Sequence, residues 1–359
     1  MKLPDFFQLS SNRVWRTYRG GKLIDSVEKI NQPKDSHYPE DWIASTTRAI
    51  NPGSDHPENE GLSSVVFNGI ERLLTDIIDE YPEEMLGRYH IKKYGNITGF
   101  LLKFLDSAMR LQLQCHPTIE FSKRRLNSNY GKTEAYYILE TRNEVTEPYI
   151  YLGFQKKVTR ENLRAIIKNQ RIEELISLFE KIPVKSGDSF MVPGGLPHAI
   201  GEGIFMIEVM EPSDFCVRIE FKRGDYVLPV EARFMNRGID FALDMFKYDP
   251  ISVEEVKQQY FLRPKLNAKF SKGNFEYRII DQSVTEKFRM NKLAISEPMD
   301  IQKDSFYIAI AVKGQGKIIG ADKSLELKFA DRIFIPKSTD SLHIEPEKYM
   351  EIILALPPK

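Results

Sequence analysis

The sequence is poor in cysteine, poor in histidine and free of long apolar runs. Cysteine occurs twice in 359 residues. That excludes a disulfide-stapled fold and makes Cys115 and Cys216 read as reduced thiols of a cytosolic protein. No run of about 18 apolar residues occurs, which excludes a membrane-spanning helix. The opening segment MKLPDFFQLSSNRVWRTYRGG lacks a continuous apolar core, so no secretory signal is expected. Neither sign of charge is in excess, with 51 Lys+Arg against 51 Asp+Glu. The electrostatic footprint of a dedicated nucleic-acid binder is therefore missing. What is present is ordinary globular composition, 42% apolar and 28% charged, long enough for two domains of roughly 100–200 residues each. The expectation is a cytoplasmic enzyme or small-molecule binder with no membrane or nucleic-acid partner.

Period-2 patterns bounded by turn residues dominate, as in FLLKFLDS (100–107), TEAYYILET (133–141), PYIYLGF (148–154), GIFMIEVM (203–210) and FCVRIEF (215–221). Short, evenly spaced strands predict a mainly β fold, a sandwich or barrel. RLQLQCHP (110–117) reads as a further strand. Helical spacing appears at about 71–88, 160–181 and 231–247, with Thr159 as N-cap and Glu161 in the first turn of the second. The polar stretch 249–268 reads as a linker, dividing the chain into residues 1–248 and a C-terminal β domain, 269–359. GDSFMVPGGLPHAI (187–200) is echoed by ADRIFIPKSTDSLHI (330–344), which suggests two similar β units in tandem.

The first of these segments fits G-x5-P-x-G-x2-H through Gly187, Pro193, Gly195 and His198. A Gly/Pro turn that delivers a His to the next strand is one way a β-barrel presents a metal ligand. The pattern resembles the second motif of the cupin superfamily. Upstream, strand alternation puts Gln114 and His116 on one face, with Gln112 beside them. In GKTEAYYIL, Lys132, Glu134 and Tyr136 share a face. Taken singly, His116, Glu134 and His198 each have an ordinary structural reading. Gln114, His116, Glu134 and His198 together supply two nitrogens and two oxygens, a set that suits Zn²⁺ with a position left for water or substrate and that also admits Fe²⁺ or Mn²⁺. Lys103 and Glu208 each interrupt an apolar strand, where a charge is costly unless it faces water, a partner or a pocket. His343 holds the place of His198 in the C-terminal echo but has no partner ligands in sequence, so that domain is expected to be metal-free.

QCHP, then GKTE 15 residues after His116, then PGGLPHAI, then Arg218 20 residues beyond His198, together resemble type I mannose-6-phosphate isomerases. NRVWRTYRGGKL (12–23) and EDWIAS (40–45) resemble the short bacterial form of that family. The likeness covers most of residues 12–225 and is weak in the C-terminal domain. The resemblance implies a cupin-type β-barrel or jelly roll with helical insertions, and a second C-terminal β-barrel domain. It implies zinc on Gln114, His116, Glu134 and His198, pocket lysines Lys103 and Lys132, an active-site Arg218 and a pocket Glu208. It departs at Gln112, where the family has a Ser implicated in holding the phosphate. An amide makes a poorer phosphate cradle, so both a sugar and a sugar phosphate stay open as substrate.

The implied activity is aldose–ketose isomerisation, an intramolecular oxidoreduction that moves a proton between C1 and C2 through an enediolate. Glu208 or Lys132 is expected to carry the proton. Lys103 and Arg218 are expected to hold an anionic end, with Gln112 and Tyr136 lining the pocket. The competing expectation is a sugar-binding or regulatory cupin that keeps the metal pocket but does no chemistry. A monomer or homodimer is expected.

Overall fold

The strand Leu101–Asp106 is buried along its whole length, and its two faces belong to two different cores. In this computed structural model, which describes residues 3–51, 53, 56–270 and 273–359, it lies inside a six-stranded antiparallel sheet. The order is Ser189–Val192, Glu134–Thr141, Ile204–Met210, Leu101–Asp106, Glu40–Ile43, Arg13–Val14. Side chains alternate along a strand. One set, including Leu105, Tyr136, Ile138 and Met206, meets Ile150, Leu152 and Ile200 of a five-stranded sheet. That sheet runs Ile182–Pro183, Tyr149–Leu152, His198–Ile200, Gln114–Cys115, Val217–Arg218. The other set, including Leu102, Phe104, Ile207 and Val209, packs on Ile308, Ile310, Phe334 and Ile353 of the C-terminal unit. Covering on both faces is why FLLKFL reads as a nearly unbroken apolar run.

The fold is mainly β and cupin-like, as expected, but hydrogen bonding among the described residues does not join the two sheets into a closed barrel. They face each other as a sandwich. Helices Arg160–Lys168, Ile172–Ile176 and Ile239–Leu243 cover the far side of the five-stranded sheet, placing Leu163, Ile166, Leu175 and Phe241 against Cys115, Tyr151, Ala199 and Val217. Thr159 caps the first of them, its side chain accepting from the Asn162 amide at 3.2 Å. The C-terminal unit is a nine-stranded antiparallel sheet built on the long strands Tyr307–Ile319 and Leu342–Leu356. One edge of it is the N-terminal strand Phe7–Gln8, with Phe7 opposite Phe334.

Several boundaries differ from the sequence reading. In 71–88 the first residues finish a hairpin, Ser64–Phe67 with Ile70–Leu73, and the helix breaks before Pro82 into Leu74–Glu80 and Pro82–Leu86. Proline excludes the helical conformation from its predecessor, and Tyr81 has ψ 56°. The 160–181 helix is interrupted at Gln170, whose φ is +48°. The third region holds only two short helices, Val230–Arg233 and Ile239–Leu243. Residues 249–268 contain a capped helix, Val253–Tyr260, and a strand, Lys265–Lys269, of the C-terminal sheet. Buried Val256 fastens that helix to the sandwich core. No described helix is long and apolar enough to cross a membrane.

Candidate metal centre

Strand register brings the expected residues to the interior of the sandwich. His198 pairs with Gln114, and Gln114 pairs with Arg218 on its other side. On the facing sheet Glu208 stands between Lys103 and Tyr136, with Glu134 two residues before Tyr136. The ligand atoms of His116, Glu134 and His198 lie within 4.8 Å of one another, all three residues buried. Glu134 Oε1 is 3.1 Å from His116 Nε2, and Oε2 is 3.6 Å from His198 Nε2.

Each imidazole is oriented through its other nitrogen. His116 Nδ1 donates to the Phe215 carbonyl at 2.8 Å, and His198 Nδ1 to the Leu196 carbonyl at 3.0 Å. Both Nε2 lone pairs are thereby left for the cluster, the arrangement that orients metal-binding histidines. Burial drives the His116 pKa down to about 3 against the pull of Glu134, and lowers that of His198 too, so both rings are neutral. Burial opposes the charge on Glu134 as well, but the Lys132 ammonium beside it favours the carboxylate, which is held well below the usual carboxyl range. Two acceptor atoms 3.1 Å apart, with no proton to share, require a cation. The Lys132 ammonium, 3.1 Å from Glu134 Oε1 and 3.5 Å from His116 Nε2, supplies part of it. Tetrahedral zinc with bonds near 2.1 Å spaces its ligand atoms by about 3.4 Å, between the two carboxylate–imidazole distances. These donors fit a zinc ion.

Gln114 is present but turned away. Its Nε2 lies 3.3 Å from His198 Nε2, while its Oε1 accepts from the Cys216 thiol at 3.2 Å. Half a turn of the amide would offer the oxygen to the cluster. The Tyr136 hydroxyl donates a short hydrogen bond to Glu134 Oε2. Gln112 does not line the cavity. Residues 111–113 lie outside any strand, so the expected alternation fails there, and the Gln112 amide contacts Thr17 instead.

A chain of ion pairs runs beside the cluster. Arg16 Nε meets Glu40 Oε2 at 2.9 Å, Lys103 Nζ meets Glu40 Oε1 at 3.1 Å, and the same Nζ meets Glu208 Oε2 at 3.2 Å. Glu40 also accepts from Tyr18 Oη at 2.6 Å and Trp42 Nε1 at 2.8 Å. Burial and the nearby Glu134 charge hold the Glu208 carboxyl well above the usual carboxylate range, although Lys103 opposes them. Its Oε1 has no hydrogen-bond partner among the described residues.

These groups enclose an inner cavity of about 30 Å³, room for a couple of waters and not for a hexose. Asp214, Cys216 and Arg218 line both it and an outer chamber of about 440 Å³. A larger cleft, about 820 Å³, lies against the C-terminal sheet. Its buried carboxylate, Glu276, is already matched by Lys303, Asn291 and Asn267. His343 is half-exposed and bonds Asp300 at 2.7 Å. The sequence reading missed Arg16, Tyr18, Glu40 and Asp214. The first three sit in NRVWRTYRGGKL and EDWIAS, segments that carry the family resemblance.

The family model "Mannose-6-phosphate isomerase, cupin domain" matches residues 279–356, the part where the motif resemblance was weakest. Among solved structures, mannose 6-phosphate isomerase from Bacillus subtilis is 20% identical, with a TM-score of 0.74 over 98% of this chain and 99% of that one. A mannose 6-phosphate isomerase solved with zinc and yttrium is 16% identical, with a TM-score of 0.70 over 98% and 100%. GmuF of Bacillus subtilis (strain 168), named a probable mannose-6-phosphate isomerase, is 33% identical over 255 residues, 70% of this chain and 73% of its own. One-third identity across nearly three quarters of a relative's length places this chain in the mannose-6-phosphate isomerase family, a family of aldose–ketose isomerases.

Proposed function

We propose that this chain is a zinc-dependent isomerase that interconverts mannose 6-phosphate and fructose 6-phosphate, or a related hexose pair, through an enediolate. The observation that carries the reading is the apposition of Glu134 and two neutral, backbone-oriented imidazoles beside a carboxyl with an unpaired oxygen, Glu208. His116, Glu134 and His198, with Gln114 once its amide turns, would hold the zinc, which when bound would polarise the sugar oxygens as a Lewis acid and offset developing negative charge.

The protein's own groups supply the rest. Once ionised, with Lys103 steadying its carboxylate, Glu208 takes the proton from one of C1 and C2 through Oε1 and returns it to the other, while the hydroxyl proton passes between O1 and O2. Lys132 and Tyr136 hold Glu134 in place. Arg218 takes the anionic end of the sugar. Four cationic and four anionic side chains line the inner cavity. With Glu208 protonated and a divalent ion bound, the excess is positive, which suits a phosphorylated sugar despite Gln112. Asp214, Cys216 and Arg218 separate the two chambers, so the sugar would have to pass them to reach the inner cavity. We place this chemistry in residues 1–248, with 269–359 as a cover for the six-stranded sheet. The two reduced thiols fit a cytoplasmic site of action.

The test is elemental analysis of the purified protein, joined to a coupled assay of fructose 6-phosphate conversion before and after a chelator. Stoichiometric zinc and chelator-sensitive turnover are expected. A metal-loaded sample inactive on every hexose and hexose phosphate would remove the reading.

A further inference from the structure

Arg16 holds a hydrogen-bond donor that no described residue accepts from. The residue is 3% exposed and lies 4.8 Å over the Trp42 ring. Its Nε is on Glu40, and its Nη1 is 2.8 Å from Asn51 Oδ1 and 3.2 Å from Asp214 Oδ2. Nη2 is buried with no partner among the described residues. A bare donor on a buried charged group is destabilising and rare in folded proteins. Arg16 and Glu208 stand at the two ends of the chain Arg16–Glu40–Lys103–Glu208, each end has one unsatisfied polar atom, and both residues line the inner cavity. Glu40 and Lys103 between them are paired, so the Arg16 Nη2 and Glu208 Oε1 atoms at the two ends are the groups left for a ligand.

We propose that Arg16 is a substrate-binding residue whose Nη2 donates to a neutral hydroxyl of the sugar; this rests on the isomerase reading above. A phosphate is the wrong acceptor for it. The Arg16 charge is already matched by Glu40 and Asp214, and Asp214 would repel a dianion at that position. Arg218 lines the same cavity with no ion pair among the described residues, and it is the cation left for an anionic group. Arg16 thus reads the sugar body and Arg218 its charged end.

The experiment compares metal-loaded wild type with Arg16→Lys on fructose 6-phosphate and on free fructose. Lysine keeps the positive charge but has no planar fork of donors. KM is expected to rise about tenfold or more for both sugars, with their kcat/KM ratio and the metal content unchanged. Loss confined to the phosphorylated sugar would make Arg16 an anion hook and overturn the proposal, as would unchanged kinetics. Should the variant fail to fold, a crystal structure of wild type with fructose 6-phosphate decides. Nη2 within about 3.2 Å of a sugar hydroxyl supports the assignment, and Nη2 on water or phosphate overturns it. The crystallographic arm needs binding only. An enzyme inactive on all sugars would sink the isomerase reading while leaving Arg16 decidable.

Discussion

Lys103 and Glu208 stand opposite each other on neighbouring strands with Nζ and Oε2 3.2 Å apart, and the same ammonium lies 3.1 Å from Glu40. One cation cannot satisfy two carboxylates in a dry site. Glu40 stays ionised despite its burial, because Arg16 and Lys103 both pull on it. Glu208, with only the shared lysine and with Glu134 nearby, is pushed up and takes the proton. Environments that drive neighbouring carboxyls apart separate an acid from an anion within one pocket.

Glu208→Gln tests that separation. A carboxyl whose folded pKa is raised contributes stability present below its unfolded pKa and lost as pH rises through the folded value. Wild type should therefore lose thermal stability on the alkaline side of that titration, and Glu208→Gln should lose less. Activity should fall about 10²–10⁴-fold if Glu208 carries the proton, with metal content retained. Identical Tm-against-pH curves for the two proteins would show that Glu208 does not titrate upward.

Removing Glu40 should be costly for a different reason. Glu40→Ala takes away the carboxylate shared by two buried cations, leaving Arg16 only Asp214 and Lys103 only Glu208, and should destabilise by about 3–5 kcal/mol. Urea denaturation of both proteins is the measurement. A loss under 1 kcal/mol would mean that water replaces the carboxylate.

His198→Ala removes one of two imidazole ligands from the cluster. Zinc measured after dialysis should fall from about one per chain to well below that. Full occupancy in the variant would mean that the ion is held elsewhere.

Gln112→Ser addresses the departure at the position where the family has a serine. The Gln112 side chain contacts Thr17 rather than the cavity, so the exchange should cost about 1 kcal/mol of stability and leave the preference between phosphorylated and free sugar unchanged. A shifted preference would bring Gln112 back to the sugar.

The legible parts of the site were those encoded locally. The turn through Pro193 and Gly195 predicts where His198 emerges, and alternation in GKTEAYYIL puts Lys132, Glu134 and Tyr136 on one face; all three line the inner cavity. Arg16 and Glu40 stayed hidden because their charge is satisfied across 24 residues of chain and by Lys103, 63 residues beyond Glu40. In sequence each reads as a solvated polar residue. Gln112 misled because alternation was assumed where the backbone leaves the ladder. Residues 249–268 looked like a linker because only Val256 of their helix is buried; a helix that buries so little has a weak apolar stripe.

The pairing of Phe7 with Phe334 sets a schedule for synthesis. At about 5–20 residues per second, the ribosome needs roughly 15–65 s to make the second phenylalanine after the first. Throughout that interval the leading segment has no sheet edge to join and stays open to chaperones and proteases. An N-terminal fusion that tethers or crowds those residues would therefore act late, on closure of the final sheet, while the sandwich that holds the cation cluster could already be assembled.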